Sequence, residues 1–466
     1  MTDESSSFID LLIARVGAGA VRTEPDVVDD ESHDEALGAT AVAPIAVVMP
    51  ERTEQIVDVL RTCSERGVAV TARGTGSGLS GACIPRDGGV VISFQRMNSI
   101  LEIDEETHLV VVQPGVQLDQ LDAALAGVGL AYPVYPGEYS ATIGGNIGTN
   151  AGGMQAVKHG VTRNHVLGLE LALATGEVIR TGGRVVKASS GYDLTQLVVG
   201  SEGTLALVTE ATLKLVPRPA FSATVLAPFP TLDEVASAVP HVITSGLGPS
   251  ILEYIDILTM TAMQREYSLE LGVPEDVRAT ALAYLVVRMD SDHDDRLEAD
   301  VQAVAELLVK LGAVDVYVLP AQAAARLIEA REKAFWLAKG NGADDIVDIA
   351  VPRRTIPEFM KRAREIGDAH GALISGCGHA GDGNIHLAVF QKDADSRKQL
   401  MLELFATGID LGGVISGEHG IGTTKKPYFL ELEDPTKVAL MQRIKRAFDP
   451  NGILNPGKIF DTEDAP

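Results

Sequence analysis

The stretch Arg73-Gly-Thr-Gly-Ser-Gly-Leu-Ser-Gly81 follows a predicted buried strand, residues 68–72, and decides between two folds. Its glycines match the G-x-G-x-x-G pattern, which in a dinucleotide-binding Rossmann unit opens directly into a helix. Here a proline and an Asp-Gly-Gly turn come almost at once, and another predicted strand, residues 90–94, follows. The missing helix therefore disfavours a Rossmann fold.

The same stretch retains the chemistry of an anion site. Successive backbone N–H groups in a glycine-rich loop can form a concave anion nest, and the hydroxyls of Thr75, Ser77 and Ser80 add donors. A second glycine-rich segment, residues 142–153, carries hydroxyl and amide side chains, and a third, residues 200–205, fits the same role. If the three segments are loops, their glycines let the backbone approach a ligand closely. Together they predict a site for a long anionic cofactor with a pyrophosphate.

The length and the net charge limit the class of protein to which the chain can belong. A chain of 466 residues predicts two or three domains. Its net charge of −25 disfavours nucleic acid or an anionic membrane surface as the main partner. The acidic N-terminus is unlike a secretory signal, and no run approaches the roughly 20 apolar residues of a membrane span, so we predict a cytoplasmic protein. The three cysteines, Cys63, Cys83 and Cys377, fit no disulfide framework and no iron–sulfur pattern.

The order of predicted elements indicates an α+β fold. A lead-in segment (1–40) precedes a domain of short strands and glycine-rich segments (41–218), which ends near Pro217-Arg-Pro219. A second domain (219–425) alternates strands with helices and predicts an antiparallel sheet covered on one side. Its predicted strands span residues 222–229, 251–255, 281–289, 314–319, 345–351, 372–377 and 384–390, and its helices residues 296–311, 321–339, 357–370 and 397–411. A C-terminal segment (426–466) contains one more helix.

The decapeptide Cys377-Gly-His-Ala-Gly-Asp-Gly-Asn-Ile-His386 predicts a β-hairpin. Its Asp-Gly pair is typical of a two-residue type I′ turn, which would place His379 directly opposite His386, on one face of the sheet. Two imidazoles aimed at one point indicate a metal site. Ser416-Gly-Glu-His-Gly-Ile-Gly422 adds a carboxylate and a third histidine. Cys377 shares the face of His379 and is either a soft fourth ligand or a packing residue, which we favour.

These motifs, together with residues 191–204 and Asn455-Pro-Gly-Lys458, resemble those of FAD-dependent D-2-hydroxyacid dehydrogenases of the vanillyl-alcohol-oxidase superfamily. The resemblance runs from about residue 44 to 460 and includes D-lactate dehydrogenase, D-2-hydroxyglutarate dehydrogenase and the catalytic subunit of glycolate oxidase. It implies an FAD-binding domain of two α+β subdomains and a ferredoxin-like α+β cap. It also implies that the C-terminal segment returns to the FAD domain.

The resemblance also implies site residues. His379, His386 and Glu418 correspond to metal ligands for Zn, Fe or Mn, His419 to the catalytic base, and Arg331 to the arginine that binds the substrate carboxylate. FAD is expected to be noncovalent, because the first glycine loop contains no histidine. The residues expected at FAD are Arg73, Gly74, Thr75, Gly76, Ser77, Gly78, Leu79, Ser80, Pro114, Gly137, Ser140, Thr142, Gly144, Gly145, Asn146, Gly148, Asn150, Gly152, Gly153, Gly200, Glu202, Gly203 and Asn455.

Positions at which this sequence differs from related enzymes indicate the substrate. In hydroxyglutarate enzymes a lysine on the strand before the proline equivalent to Pro352 reaches the second carboxylate, and here residues 344–351 contain no basic residue. Ala388 replaces an asparagine found in some relatives. We therefore expect oxidation of a D-2-hydroxy monocarboxylic acid such as D-lactate, glycolate or an apolar homologue, with hydride passing to the flavin and His419 taking the hydroxyl proton.

Several alternatives stay open at this point. They are a D-2-hydroxyglutarate dehydrogenase, a flavin electron-relay subunit, a metal-dependent hydrolase with incidental glycine loops, and an NAD-linked dehydrogenase. The electron acceptor is an electron-transfer flavoprotein, a quinone or an iron–sulfur subunit, and the resemblance is compatible with a homodimer. None of these partners is readable from the residues.

Overall fold

The structure, a computed structural model, describes residues 3–461. Short strands and glycine-rich connections make up the first half, whereas long helices and one large sheet make up the second. The strands are β1 (Val21–Arg22), β2 (Ala46–Val48), β3 (Val70–Arg73), β4 (Val90–Ser93), β5 (Ile100–Asp104), β6 (Leu109–Val112), β7 (Leu130–Ala131), β8 (Val166–Ala172), β9 (Val178–Gly182), β10 (Leu207–Lys214), β11 (Val216–Pro217), β12 (Phe221–Phe229), β13 (Ile251–Asp256), β14 (Ala283–Ser291), β15 (Tyr317–Val318), β16 (Asp345–Ala350), β17 (Leu373–His379) and β18 (Asn384–Phe390). The helices are α1 (Asp3–Val16), α2 (Pro25–Asp30), α3 (Thr53–Arg66), α4 (Leu118–Ala126), α5 (Ile143–Thr149), α6 (Ala156–His159), α7 (Leu194–Val198), α8 (Leu232–Thr244), α9 (Ile257–Tyr267), α10 (Glu275–Thr280), α11 (Asp294–Lys310), α12 (Ala321–Glu332), α13 (Ala334–Gly340), α14 (Ile356–Ala369), α15 (Ala394–Asp410), α16 (Lys426–Leu432) and α17 (Pro435–Phe448).

The first sheet has the order β1-β2-β4-β3, in which β2, β4 and β3 run parallel. Helix α3 makes the crossover and ends at Gly67, whose φ of 65° is the left-handed conformation that glycine adopts without strain. Cys63 on this helix is fully buried, as expected for a free cysteine. Leu12 of α1 is buried in the same core, so the lead-in helix packs on this layer.

The second sheet has the order β5-β6-β10-β8-β9 and is antiparallel throughout. Its core is separate from that of the first sheet and includes residues of α4, α5 and α7, such as Leu121, Ile147 and Val198. A glycine-rich segment follows β3 of the first sheet and another forms α5 beside the second sheet. The space between two independently packed layers is a common place for a ligand.

The second half forms one antiparallel sheet of order β15-β12-β14-β13-β17-β18-β16. Successive residues of β12 belong to different cores: Val225 packs with α8, α11, α14 and α15, and Leu226 with α9, α12 and α13. The prediction of a sheet covered on one side is therefore wrong, because helices bury both faces. The predicted helix over residues 321–339 is also two helices, interrupted at Lys333.

The C-terminal segment packs against the first sheet. Leu454 pairs with Val70 of β3 and is completely buried in the same core. Asn455 then accepts a hydrogen bond from the Thr71 hydroxyl at 3.1 Å. Within residues 3–461, no helix combines the length and the apolarity that crossing a membrane would require.

Candidate functional site

The histidine hairpin forms with a register that differs from the prediction. In the structure Cys377 pairs with His386 and His379 with Asn384, and residues 380–383 form the turn. The type I′ prediction is wrong because Gly383 adopts a positive φ (92°) whereas Asp382 does not, and the Asp382 carboxylate instead accepts the Asn384 backbone N–H at 3.1 Å. A slip of two residues keeps every side chain on its face. His379 and His386 therefore still meet, diagonally, with ring centroids 5.0 Å apart.

Glu418 joins the two histidines. Its Oε1 atom lies 3.2 Å from Nε2 of His379 and 3.2 Å from Nε2 of His386. The other carboxylate oxygen, Oε2, is buried and has no hydrogen-bond partner among residues 3–461. Two imidazole nitrogens and a carboxylate oxygen, all within 4.8 Å of one another, fit a divalent transition metal with further positions open to substrate.

Opposite charges couple these groups. Burial alone would raise the pKa of Glu418, but the charges and hydrogen bonds of His379 and His386 hold it well below its usual range. Burial alone would lower the pKa of His379, but Glu253 and Glu418 raise it well above its ordinary value. Glu253 and Glu418 therefore bring negative charge to the histidines. The same negative charge would stabilise a bound metal cation.

Glu253 on β13 is a site residue that the sequence reasoning missed. Its side chain is completely buried, and its Oε1 lies 2.7 Å from His379 Nδ1. Its other oxygen lies 2.7 Å from Nη2 of Arg331, so the predicted carboxylate-binding arginine is held by an ion pair. A carboxylate behind a metal-binding histidine fixes the ring orientation. The available signal was one acidic residue within the apolar run Ile251-Leu-Glu-Tyr-Ile255.

Asp348 on β16 was also missed and connects most of the site. Completely buried, it accepts backbone N–H groups from Glu418 (3.2 Å) and His419 (2.8 Å). It also accepts hydrogen bonds from Asn384 Nδ2 (2.9 Å) and Lys425 Nζ (3.4 Å). Burial alone would raise the pKa of Asp348, but the facing His419 and Lys425 lower it, so the group stays ionised.

His419 lies beside His379, His386 and Glu418. Its ring stacks on that of His386, with centroids 5.2 Å apart and planes at 12°, and its Nδ1 is 3.7 Å from Asp348 Oδ2. Burial lowers the pKa of His419 to about 4, against the opposing effect of Asp348. The imidazole is therefore neutral near pH 7, which is the form that can accept a proton.

The first of two cavities near the predicted site residues, of about 230 Å³, lies against the glycine-rich segments. Most of the residues expected at FAD line it: Arg73, Gly74, Thr75, Gly76, Ser77, Gly78, Leu79, Pro114, Gly137, Thr142, Gly144, Gly145, Asn146, Gly148, Glu202 and Gly203. The others are outside its lining: Ser80, Ser140, Asn150, Gly152, Gly153, Gly200 and Asn455. The cavity also contacts Glu418 and His419, so it reaches the histidine cluster.

The second glycine-rich segment is a helix rather than a loop. Thr142 caps α5 by accepting the Gly145 backbone N–H at 3.2 Å. A Cβ at Gly144 would stand 2.8 Å from the Cβ of Pro114, so glycine is needed for the helix to pack there. The buried Asn146 amide nitrogen, which has no hydrogen-bond partner in the described part of the chain, is a donor available to a cofactor.

Some side chains expected at the cofactor also bind other parts of the protein. The Arg73 guanidinium pairs with Glu31 at 2.5 Å. The Glu202 carboxylate accepts the backbone N–H groups of Ile421 and Gly422, each at 2.7 Å, just beyond His419. Asn455 Nδ2 donates to the Glu202 carbonyl at 2.7 Å. These side chains hold the first sheet, the loop after His419 and the C-terminal segment together.

The second cavity, of about 240 Å³, lies on the other side of the cluster. Its lining includes Arg331, His379, His386 and Cys377. Cys377 is nearly completely buried and packs in the core of α9 and α12, as expected. Glu418 and His419 line both cavities. The histidine cluster therefore stands where a group in the first cavity would meet a molecule in the second.

Comparisons with known proteins assign the chain to a family. A profile described as FAD binding domain matches residues 44–182, and one described as FAD linked oxidases, C-terminal domain, matches residues 218–459. An uncharacterized FAD-linked oxidoreductase of Mycobacterium tuberculosis is 55% identical over 445 residues, 96% of this chain and 97% of that protein. Glycolate oxidase subunit GlcD of Bacillus subtilis is 40% identical, covering 90% of this chain and 89% of its own. D-lactate dehydrogenase of Anaerostipes hadrus is 36% identical and covers 93% of both chains.

A solved structure agrees on the fold. That of p-cresol methylhydroxylase superposes with a TM-score of 0.82 over 100% of this chain and 99% of that chain, at 18% sequence identity. The α+β prediction and the vanillyl-alcohol-oxidase architecture are thereby confirmed. The profile matches argue against a hydrolase with incidental glycine loops and against an NAD-linked enzyme. The chain therefore belongs to the FAD-dependent D-2-hydroxyacid dehydrogenase and glycolate oxidase family of FAD-linked oxidoreductases.

Proposed function

We propose that the protein oxidises a D-2-hydroxy monocarboxylic acid to the 2-oxo acid, with noncovalently bound FAD and a divalent metal ion. The observation that carries this proposal is the position of the His379, His386 and Glu418 set, with His419 beside it, at the junction of the two cavities. A flavin electron-relay subunit would not need such a set.

The glycine-rich segments and the α5 region that line the first cavity would hold FAD. When bound, it supplies the two-electron chemistry by accepting the hydrogen of the substrate's hydroxyl-bearing carbon as hydride. The first glycine loop contains no histidine that could form a covalent flavin link, which supports noncovalent binding.

The residues of this chain prepare the substrate. Arg331, which Glu253 holds at 2.7 Å, binds the substrate carboxylate in the second cavity. His379, His386 and Glu418 would hold the metal ion, whose charge would favour loss of the hydroxyl proton. The neutral His419 imidazole accepts that proton, and Asp348 keeps its backbone in place at 2.8 Å. The reaction removes one proton and one hydride, which leaves the 2-oxo acid.

The substrate is a monocarboxylate because the cavity offers no second anion site. Among the described residues that line the second cavity, Arg331 is the sole arginine, and no lysine is present. The residue of β16 that lines this cavity is Ile346, which is apolar. This favours D-lactate or another monocarboxylic 2-hydroxyacid over D-2-hydroxyglutarate, which is the alternative substrate.

Anaerobic reduction of the bound flavin by a panel of D- and L-2-hydroxyacids tests the proposal. We expect bleaching with D-monocarboxylates and little with their L-enantiomers. A faster initial rate with D-2-hydroxyglutarate than with D-lactate would contradict the substrate class. A separate electron acceptor (an electron-transfer flavoprotein, a quinone or an iron–sulfur subunit) is needed only for turnover, so this assay does not depend on identifying it.

A further inference from the structure

The second cavity extends along one face of the β17–β18 hairpin, away from the metal-binding histidines. Alternate residues of both strands line it: His379, Cys377, Ser375 and Leu373 on β17, and His386, Ala388 and Phe390 on β18. At about 3.3 Å per residue, the four steps from His386 to Phe390 cover about 13 Å. The cavity is therefore an elongated channel with the histidines at one end.

The walls of this channel are apolar. Opposite the hairpin, α9 contributes Leu258 and Ala262, and α13 contributes Leu337 and Ala338. Ile346 of β16 lies beside Ala388 in the same sheet. Ala388, the first residue on the face after His386, is small and leaves the channel open just beyond the histidines. We infer that the substrate carries an extended aliphatic side chain, which lies in this channel while its carboxylate and hydroxyl groups face the histidines. This inference rests on the proposed function.

The polar side chains beside the hairpin, on β17, on α9 and at the end of α13, are already paired. Thr259 and Ser375 share a hydrogen bond of 3.0 Å between their hydroxyls, and Ser375 also donates to Asp256 at 3.1 Å. Asn341 donates from its amide to the Leu337 carbonyl at 2.8 Å. A polar group in the middle of the substrate chain would lose water without gaining a partner, which is costly. The part of the lining along the hairpin therefore selects methylene groups.

The open end of the channel is also apolar. Leu373 of β17 is 54% exposed and Leu258 of α9 is 48% exposed, although both are large hydrophobic residues. The methyl group of lactate would fill only the part beside His386 and leave the rest of the wall uncovered. Since an extended chain advances about 1.3 Å per carbon at bond lengths of about 1.5 Å, acids of about six to ten carbons match the channel.

A chain-length series tests this inference. The second-order rate constant of anaerobic flavin reduction is measured with D-lactate and with D-2-hydroxybutanoate, D-2-hydroxyhexanoate and D-2-hydroxyoctanoate. We expect a rise of about fourfold per methylene, the factor that corresponds to about 0.8 kcal/mol for each buried CH₂. A flat or falling series with D-lactate active would overturn the inference but leave the proposed function standing. Failure of every D-acid to bleach the flavin would instead reject the proposed function.

Two variants test whether the side chain of the substrate lies in the channel. Ala388→Leu narrows it one step beyond His386 and should lower the octanoate-to-lactate ratio of rate constants at least tenfold. Ala279→Leu, on the exposed surface of α10, is the matched control and should keep the wild-type ratio. Leu258→Ser removes an apolar side chain at the exposed mouth of the channel without a change in the buried wall. It should lower the octanoate-to-lactate ratio several-fold. Unchanged ratios in both channel variants would refute the inference.

Discussion

Lys425 Nζ lies 3.4 Å from Asp348 Oδ2, and both side chains are almost completely buried, at 4% and 0% exposure. A buried ion pair is stable only when further hydrogen bonds compensate for lost hydration. Asp348 meets that condition because it also accepts the Ser416 hydroxyl at 2.7 Å and the His419 backbone N–H at 2.8 Å. One carboxylate on β16 therefore sets the conformation of the loop that carries Glu418 and His419.

Asp348→Asn should damage both stability and activity. The substitution leaves the buried Lys425 ammonium unpaired, which typically costs about 3–5 kcal/mol of folding free energy. Loss of loop positioning should reduce substrate-driven flavin reduction about 10–100-fold, as for other residues behind a metal site. Urea unfolding and stopped-flow bleaching measure the two effects.

Matched variants separate these two effects. Asp344→Asn, whose partner Lys392 is 80% exposed, should change stability by no more than about 1 kcal/mol. Adding Lys425→Met to Asp348→Asn removes the unpaired charge and should restore part of the stability but not the activity. Full activity in Asp348→Asn would show that the loop does not depend on this carboxylate.

Glu253→Gln should weaken metal binding. The variant keeps an oxygen near His379 Nδ1 but removes the charge that also pairs with Arg331. We expect the affinity for added Zn²⁺ or Mn²⁺ to fall about 10–100-fold, measured by metal titration of chelator-treated protein. Glu270→Gln, at an exposed position, is the control and should bind metal as the wild type does. Equal affinities in the two variants would remove Glu253 from this role.

His419→Ala should separate binding from chemistry. The ring makes no contribution to the three-ligand set, so the variant should retain FAD and metal while substrate no longer bleaches the flavin. Absorption spectra and metal analysis establish that the protein is loaded, and stopped-flow absorbance follows bleaching. His293→Ala, at an exposed position, controls for the loss of a histidine. Normal bleaching in His419→Ala would mean that another group takes the proton.

Glu332 should make stability depend on pH. Burial raises its pKa from 4.5 to about 7, against the opposing effects of Tyr139 and Arg331. The folded protein therefore holds a proton that the unfolded chain has already released above pH 4.5. The contribution of this proton to the free energy of unfolding is fully present below about pH 4.5 and is lost as pH rises through about 7. The loss is at most about 3 kcal/mol, at 1.36 kcal/mol per pKa unit.

Glu332→Gln tests this dependence because the amide does not titrate. Relative to wild type, the variant should gain stability between pH 5 and pH 8, as measured by urea midpoints at both values. Glu329→Gln, which is exposed and one turn earlier on α12, should show no such gain. A difference between Glu332→Gln and wild type that does not change with pH would contradict the raised pKa.

Local patterns predicted elements well where one physical signal dominated. The strand predicted over residues 384–390 matches β18, and the strand predicted over residues 251–255 lies within β13. Local patterns gave wrong predictions where contacts with distant parts of the chain favoured another conformation. The Asp-Gly pair predicted a two-residue turn, but the Gly381 backbone N–H bonds to the Leu252 carbonyl at 3.0 Å, which ties a longer turn to the neighbouring strand β13. The glycine-rich segment at 142–153 looked like a loop, yet the Thr142 cap and close packing on Pro114 make its first part a helix.

The sequence alone determined the family and the α+β class, and it predicted a cluster of histidines with a carboxylate, because motifs such as His379 to His386 and Glu418-His419 are local. It could not reveal that Glu253 and Asp348 stand behind those histidines. Both are single acidic residues within apolar strands, and their partners lie far away along the chain. Only the tertiary structure brings β13, β16 and the hairpin into one sheet, where a buried carboxylate must find a cation or a donor. The same packing decided that the space beyond the histidines is an apolar channel.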